Sequence, residues 1–254
     1  MIAVLSPAKS LEFDFAVDGL ECTTPELLDK ADYLAHKLKP YSAKRIAKLM
    51  GVSEQLSVLN YERYQQWEVP HNDEARPCML AFRGEVYRGL KAEDMNEEDL
   101  DFAQGHVRIL SGLYGVLKPM DKILPYRLEM GTSLKVTASK SNLYKYWGDT
   151  IVDTINDAMK ESGSDVLVNL ASNEYFKSIK TDKLNGRLVT CLFKDNKNGE
   201  FKVLMTYAKH ARGAMARYII TNRLNSPDDL KGFDWEGYSF NDKLSSEDEF
   251  VFTR

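Results

Sequence analysis

The chain has 254 residues, a formal net charge of −4 and 43% hydrophobic residues, so it is long enough to bury a substantial core. No run approaches the roughly 20 apolar residues that span a membrane, and residues 1–10 predict a strand and not a signal peptide. Three cysteines and four histidines are widely dispersed, so we expect no disulfide framework, metal site or other cofactor.

The first third of the chain predicts a short strand followed by three helices. Residues 2–5 form an apolar run that ends at Ser6-Pro7. A helix opens near Thr24-Pro25 and keeps its 3.6-residue apolar period until Pro40. Ser42 then caps a helix that Gly51 ends, and Ser53 caps a third helix that runs toward Trp67.

The remaining sequence alternates further strands and helices. We predict strands at 78–82 and 165–171, a helix at 97–110 that begins acidic and ends with Arg108, and a hairpin turning at Asn198-Gly199. Ser141 caps the clearest helix, with one apolar face from Leu143 to Ala158, and a basic helix spans about 207–223. Residues 111–131, SGLYGVLKPMDKILPYRLEMG, fit neither period.

These elements predict one mixed α/β (α+β) domain over residues 1–254. A mixed central sheet is expected to be surrounded by helices, because apolar strands alternate with amphipathic helical segments and no linker or repeat interrupts them. The helical hairpin segment at 23–68 is expected to be an insertion within this domain.

Positive charge is segregated from negative charge along the sequence. Residues 33–53 and 201–227 contain no acid, whereas acids concentrate at 93–101 and after 228. This pattern predicts a basic cleft on an acidic body, although solvated helix faces would give the same pattern. The cations that we single out for nucleic-acid binding are Lys44, Arg45, Lys48, Lys209, Arg212 and Arg217.

The stretch IAKLMGVSEQLSVLN, residues 46–60, combines a helix, a glycine turn and a Ser-capped helix. Helix-turn-helix and helix-hairpin-helix elements that bind DNA have this organisation, and Lys44, Arg45 and Lys48 precede the turn. An ordinary pair of short helices would use the same residues, so the motif alone leaves both interpretations open.

Several turns and predicted strand ends carry polar residues that favour a shared pocket. Ser6 and Lys9 follow the first strand, and Asn169, Asn173 and Glu174 follow the strand at 165–171. A lone pair such as Ser6 and Lys9 is more often capping chemistry, and Ser172 and Asn173 are both good N-caps for the next helix. The predicted pocket residues are Ser6, Lys9, Ser111, Tyr114, Tyr126, Arg127, Asn169, Asn173 and Glu174, and the candidates for acid–base or nucleophilic catalysis are Ser6, Lys9, Glu129 and Glu174. Residues 111–131 are then either the wall of that pocket or scaffold.

Seven motifs together resemble the YaaA peroxide-stress family of bacterial proteins. They are SPAKSL, FRGEVYRGL, RILSGLYGVLKPMDKILPYRLEMGT, LYKYWGD, NLASNEYF, KHARGAMARYII and the terminal F-x-F-x-R, and they cover essentially the whole chain. The resemblance implies a cytoplasmic protein that limits reactive intracellular iron during peroxide stress. It also implies a single mixed α/β domain that binds double-stranded DNA through a basic cleft with a helix-hairpin-helix-like element, here at 42–66, although only Gly51 stands in its turn.

Two classes of function stay open at this point. The first is a binding protein, expected to be a monomer without membrane association, that protects DNA under peroxide stress. The second is an enzyme that acts on a nucleobase, nucleotide or nucleic acid, such as a glycosidase or lyase, in the polar pocket. Direct iron sequestration fits least well, since the dispersed His and Cys residues lack ligand spacing.

Overall fold

The computed structural model describes residues 1–254, and its centre is an eight-stranded mixed sheet with helices packed against it. The strands are β1 (Ile2–Leu5), β2 (Ser10–Leu11), β3 (Arg76–Pro77), β4 (Phe82–Arg83), β5 (Val107–Ser111), β6 (Gly115–Leu117), β7 (Lys122–Ile123), β8 (Val166–Asn169), β9 (Arg187–Lys197), β10 (Glu200–Lys202), β11 (Ser239–Phe240) and β12 (Glu249–Thr253). The helices are α1 (Leu28–Leu38), α2 (Ala43–Met50), α3 (Glu54–Gln65), α4 (Cys78–Ala81), α5 (Glu85–Leu90), α6 (Glu97–His106), α7 (Leu143–Trp147), α8 (Thr150–Glu161), α9 (Asn173–Phe176) and α10 (Met205–Thr221).

Strand β1 lies in the middle of the sheet, between β5 and β8, and is parallel to both. Ala3 pairs with Val107 on one side and with Val168 on the other. Strands β9 and β12 continue the parallel part, and β6, β10 and β11 join it antiparallel. Every residue of β1 and β8 is buried, as expected for parallel strands covered on both faces. The predicted fold class, a mixed α/β domain with a mixed central sheet, is confirmed.

The segment 23–68 shares the hydrophobic core of the sheet. Leu34 of α1, Ile46 of α2 and Tyr64 of α3 belong to one contiguous cluster with the strands. Helix α1 begins at Leu28, about one turn after the expected start. The predicted Ser42 cap is present, since its hydroxyl accepts the backbone N–H of Arg45 at 3.4 Å, and Gly51 ends α2 in the left-handed region at φ 63°.

The prediction of a strand at 78–82 is wrong for its first four residues, which form α4. A short apolar run has no period that separates a strand from a buried helix. Tertiary contacts decide this one, because the backbone N–H groups of Cys78 and Met79 donate to the carbonyls of Asp121 and Pro119 at 2.9 and 3.0 Å. Phe82 then enters β4, which pairs with β2.

The predicted helix at 97–110 ends at His106, and the residues after it form β5. The helix start is as expected, with Asn96 as its cap and an acidic first turn. From Val107 onward every residue is buried and pairs with β1 or β6. Pairing with the central strand therefore overrides the helical tendency of this stretch, and Arg108 lies in a strand.

The predicted helix from Ser141 to Ala158 is two helices, α7 and α8. Asn142 and not Ser141 is the cap, since its side chain accepts the N–H of Lys145 at 2.9 Å. Gly148 then takes φ 54°, ψ −117°, which separates the two helices. The expected apolar face spans this break, since Leu143, Ile151 and Ile155 are all buried.

The hairpin predicted at Asn198-Gly199 is confirmed. Both residues have positive φ, 57° and 86°, and the flanking Lys197 and Glu200 pair across the turn.

Candidate functional site

A cavity of about 280 Å³ lies where β1 and β8 end. Ser6 directly follows β1, and Ser172 follows β8, so the two parallel neighbours deliver residues to the same edge of the sheet. The lining residues come from three parts of the chain: Ser6, Pro7, Ala8, Lys9 and Ser10; Arg83, Gly84, Glu85, Val86 and Tyr87; and Ser172, Glu174, Tyr175, Lys209 and Arg212.

The hydroxyl of Ser6 is held by the chain that follows β8. Its Oγ accepts the backbone N–H of Ser172 at 2.8 Å and donates to the Ser172 hydroxyl at 3.2 Å. The Tyr87 hydroxyl donates to the carbonyl of Ser6 at 3.1 Å. The structure gives Ser6 no hydrogen bond to Lys9, so these two residues do not form a nucleophile–base pair here.

Lys9 instead belongs to an ionic cluster with two residues of the segment 111–131. Its Nζ lies 2.6 Å from Oε2 of Glu129, and Arg127 donates to Oε1 of Glu129 at 2.9 Å. The Nε of Arg127 is buried without a hydrogen-bond partner. Lys9 lines the cavity, whereas Arg127 and Glu129 do not.

Two helices form the wall opposite the strand ends, and their backbones touch. A Cβ on Gly213 of α10 would lie 1.7 Å from the Val86 carbonyl oxygen, and a Cβ on Gly89 of α5 would lie 2.0 Å from the His210 carbonyl oxygen. Only glycine permits this approach. The contact brings Lys209 and Arg212 of α10 to the same cavity as the start of α5.

Arg212 and Lys209 reach the cavity without any protein partner. Neither makes a salt bridge, and the side chain of neither donates a hydrogen bond to the protein, whereas 13 ion pairs connect other charged residues. Burial lowers the pKa of the Arg212 guanidinium. Burial also raises the pKa of the neighbouring Cys191 thiol to about 12, against the influence of Arg212, so the cysteine supplies no counter-charge.

Glu174 brings a carboxylate to the cavity. Its Oε1 accepts the backbone N–H of Gly131 at 2.9 Å, which fixes the side chain against the end of the segment 111–131. Asn173, the preceding residue, is exposed and does not line the cavity.

Four residues that the sequence suggested for the pocket are buried in the core instead. Ser111 and Tyr126 join their hydroxyls at 2.6 Å. The Tyr114 hydroxyl accepts the N–H of Leu124 at 3.0 Å, and Asn169 accepts the N–H of Ala171 at 3.0 Å. These side chains serve local backbone geometry, and none of them lines the cavity.

The segment 111–131 owes its unusual composition to close backbone packing. A Cβ on Gly112 would lie 2.2 Å from the Leu128 carbonyl oxygen, and Gly115, at φ 73°, lies against the ring of Trp147. The Trp147 Nε1 donates to the carbonyl of Gly112 at 3.1 Å. Most of the segment is thus scaffold, and it contacts cavity residues through the Glu129–Lys9 ion pair and the Gly131–Glu174 hydrogen bond.

The basic residues of the helical hairpin α2–α3 lie on one exposed face. Lys48 follows Arg45 by three residues and Lys44 by four, all three residues are exposed, and none forms an ion pair. The guanidinium of Arg45 lies 3.5 Å from the ring centre of Tyr41, a cation–π contact that orients it.

Arg217, the third α10 residue selected for nucleic-acid binding, has a different environment. Its NH1 donates to the carbonyls of Leu90 and Lys91, at 3.2 and 2.7 Å. The guanidinium therefore satisfies the carbonyl end of α5, and the three α10 cations do not form one surface row.

The contribution of α5 and of the residues before it was not predicted from the sequence. Arg83, Glu85 and Tyr87 line the cavity but were assigned no site role. The available signal was FRGEVYRGL, one of the motifs that carry the family resemblance.

No set of three or more His, Cys, Asp or Glu side chains is arranged to hold a metal ion. None of the helices is both long and apolar enough to cross a membrane.

The family comparison agrees with the resemblance seen in the sequence. A family model described as peroxide stress protein YaaA matches residues 1–244.

Proposed function

The chain belongs to the YaaA peroxide-stress family, and from this we propose that it protects cells against peroxide by binding duplex DNA through the hairpin α2–α3. The contacts are proposed to come from Lys44, Arg45 and Lys48, which would meet phosphates without reading base sequence.

The observation that supports this proposal is the absence of acidic partners on the α2 face. Nine of the 13 ion pairs involve a cation outside 33–53 and 201–227, and none involves Lys44, Arg45 or Lys48. Three free cations on one helix face offer a site for phosphate, even though the whole chain carries a net charge of −4.

Further positive charge continues from the hairpin toward the cavity. Arg63 of α3 lies near enough to Arg127 that the Arg127 charge lowers the pKa of the Arg63 guanidinium, in addition to the larger effect of burial. The Tyr64 hydroxyl donates to the carbonyl of Arg127 at 2.9 Å, which fixes α3 against this segment. The proposed duplex surface therefore has its centre on α2 and its edge at Arg63.

A salt titration with a duplex of arbitrary sequence tests this function. With about five phosphate contacts, the logarithm of the association constant should fall with the logarithm of salt concentration at a slope near −4.5. Changing Lys44, Arg45 and Lys48 together to Gln should reduce the slope by about 3 and weaken binding strongly at low salt.

A matched control separates the site from the total charge. Lys160, Lys197 and Lys243 are exposed, form no ion pair and lie outside the hairpin and the cavity. Changing these three to Gln should change the slope by less than about 1, the value of a single phosphate contact. A flat salt titration, or equal losses in the two triple variants, would rule out the hairpin as a DNA site.

We also propose that the protection includes a lower level of reactive intracellular iron and takes place in the cytoplasm, with the protein acting as a monomer. The support for iron is family membership alone. Chelatable iron should be higher after a peroxide challenge in cells that lack the protein than in cells that carry it. Equal iron levels would reject this part and leave the DNA proposal untouched.

A further inference from the structure

We propose that the cavity at the ends of β1 and β8 binds a small phosphate ester with hydroxyl groups, a nucleoside monophosphate or a sugar phosphate, and that Arg212 is its main phosphate-binding residue. The cavity and the α2 face share no residue, so this proposal does not depend on DNA binding.

The charge of the cavity favours a small anion. Lys9, Arg83, Lys209 and Arg212 bring four cations, against two carboxylates from Glu85 and Glu174. Lys9 is paired with Glu129, and Glu85 is paired with Arg88 at 2.6 Å. Lys209 and Arg212 keep their charges without a partner. A partly buried cation is costly to leave unpaired, and an anionic ligand would remove that cost.

The kind of cation favours phosphate. A guanidinium presents parallel N–H groups that match the spacing of two phosphate oxygens. Only NH1 of Arg83 is used by the protein, where it donates to the carbonyls of Leu80 and Phe82, so the rest of this second guanidinium has no protein partner. Lys209 stands three residues before Arg212 on the same helix face and adds a point charge.

The other lining groups favour a ligand that carries hydroxyls. Ser10 has no hydrogen-bond partner for its side chain, and Glu174 uses only Oε1, leaving Oε2 to accept a hydroxyl. Tyr87 and Tyr175 add an apolar surface for a ring. At about 280 Å³ the cavity lies just below the usual range for ligand sites, which suits one phosphate ester better than a dinucleotide.

Calorimetric titration with 5′-AMP, ribose 5-phosphate and inorganic phosphate at low ionic strength tests the assignment. Saturable binding of at least one ester is expected, with inorganic phosphate at least about tenfold weaker. Tighter binding of 5′-AMP than of ribose 5-phosphate would identify a nucleotide as the ligand class, and equal binding would identify a sugar phosphate. If inorganic phosphate binds with the same affinity as both esters, the role given to the hydroxyl contacts is overturned.

Arg212→Met keeps the packing of the side-chain stem and should weaken the ester about tenfold or more, and Arg212→Lys should recover part of the loss. Arg45→Met, on the hairpin, is the matched control and should bind the ester as the wild type does. If Arg212→Met does not fold, Lys209→Met, at an exposed position, should still weaken binding about threefold.

The proposal fails if the wild type shows no saturable binding of either ester up to about 10 mM. It also fails if folded Arg212→Met and Lys209→Met both bind with unchanged affinity. Loss of DNA binding in the hairpin variants with intact ester binding would show that the two sites are independent, as proposed.

Discussion

Lys9 and Glu129 are joined by an ion pair of 2.6 Å, which connects the first turn after β1 to the segment 111–131. The other oxygen of Glu129 accepts from Arg127 at 2.9 Å. One carboxylate therefore serves two cations, of which Lys9 is 62% exposed and Arg127 only 17% exposed. Removing Arg127 leaves Glu129 with a partner, and this distinguishes it from an isolated buried pair.

We expect Arg127→Met to fold and to lose about 1–2 kcal/mol of unfolding free energy, less than the 3–5 kcal/mol typical of a broken buried pair. Glu129 keeps Lys9, and the substitution also removes the buried Nε that has no partner. Urea denaturation measures the difference. Lys202→Met breaks an exposed pair with Glu200 and should change stability by less than about 0.5 kcal/mol. An Arg127→Met protein that is unfolded would show that the segment depends on this pair far more than its shared carboxylate implies.

Gly213→Ala should destabilise the protein by about 3 kcal/mol or more, because its Cβ would overlap the Val86 carbonyl oxygen at 1.7 Å and force α5 and α10 apart. Thermal unfolding gives the measurement. Gly105→Ala is the control, since Gly105 is helical with nothing within 4 Å of a Cβ, and it should be neutral or stabilising by up to about 1 kcal/mol. Equal stability of the two variants would contradict the backbone contact between the helices.

The stability of the protein should fall between pH 7.5 and pH 5.5, in part because of His71. Burial lowers the pKa of His71, and Lys122 lowers it further, against raising effects of the Glu68 carbonyl, Asp32 and Glu68. Both ring nitrogens are hydrogen-bonded: Nδ1 lies 2.9 Å from the Glu68 carbonyl oxygen, and Nε2 lies 2.9 Å from the Tyr114 hydroxyl. Because the Glu68 carbonyl can only accept, Nδ1 of the neutral ring carries the proton, and Nε2 accepts the Tyr114 O–H. Protonation of Nε2 would remove that acceptor.

Stability falls as pH falls because the unfolded state, and not the folded state, takes up the proton. Below the unfolded pKa, about 6.5, the unfolded chain binds a proton at this position and the folded protein does not, so unfolding becomes easier as pH falls. The loss approaches about 1.4 kcal/mol per pH unit for one histidine. His106 has a pKa that burial also lowers, so His71→Gln should flatten the dependence without abolishing it. A pH dependence identical to that of the wild type would exclude His71 as a source.

Ser6→Ala should cost about 1–2 kcal/mol, because the backbone N–H of Ser172 would lose its acceptor. Chemical denaturation should show this, with Ser10→Ala, which removes no hydrogen bond within the protein, close to the wild type. If Ser6 is structural, the variant should also retain its affinity for 5′-AMP within about threefold. A Ser6→Ala protein with unchanged stability would mean that Ser172 does not depend on this hydroxyl.

The sheet and the long helices could be predicted from the sequence because local signals and tertiary packing agree there. The cap at Ser42, the stop at Gly51 and the apolar runs of β1 and β8 all coincide with the structure. Prediction failed where a neighbour in space decides the conformation. Residues 107–111 become a strand through pairing with β1, and Cys78 begins a helix through a hydrogen bond to Asp121, and neither partner is near in sequence.

The site could be predicted only in part from the sequence, for a related reason. Ser6, Lys9 and Glu174 follow strands whose order in the sheet brings them together, so the strand-end argument reaches them. Tyrosine is a residue type common in binding sites, but the side chains of Tyr114 and Tyr126 are buried in the core. The residues contributed by α5 depend on two glycines more than a hundred positions apart, Gly89 and Gly213, each of which lets the backbone of the other helix approach. A single sequence gives no sign of such packing.

The close packing of α5 and α10 at these glycines also bears on the rate at which a ligand associates with the cavity. Because Gly89 and Gly213 bring the backbones of α5 and α10 together, the helix that carries Arg212 cannot slide or rotate without colliding with the backbone of its neighbour. The backbone that carries Arg212 is therefore already in place when a ligand arrives, and only side-chain rotation has to accompany the encounter. In rapid-mixing experiments the observed association rate should rise in proportion to ligand concentration and reach no plateau, the kinetic behaviour of a rigid site without a lid.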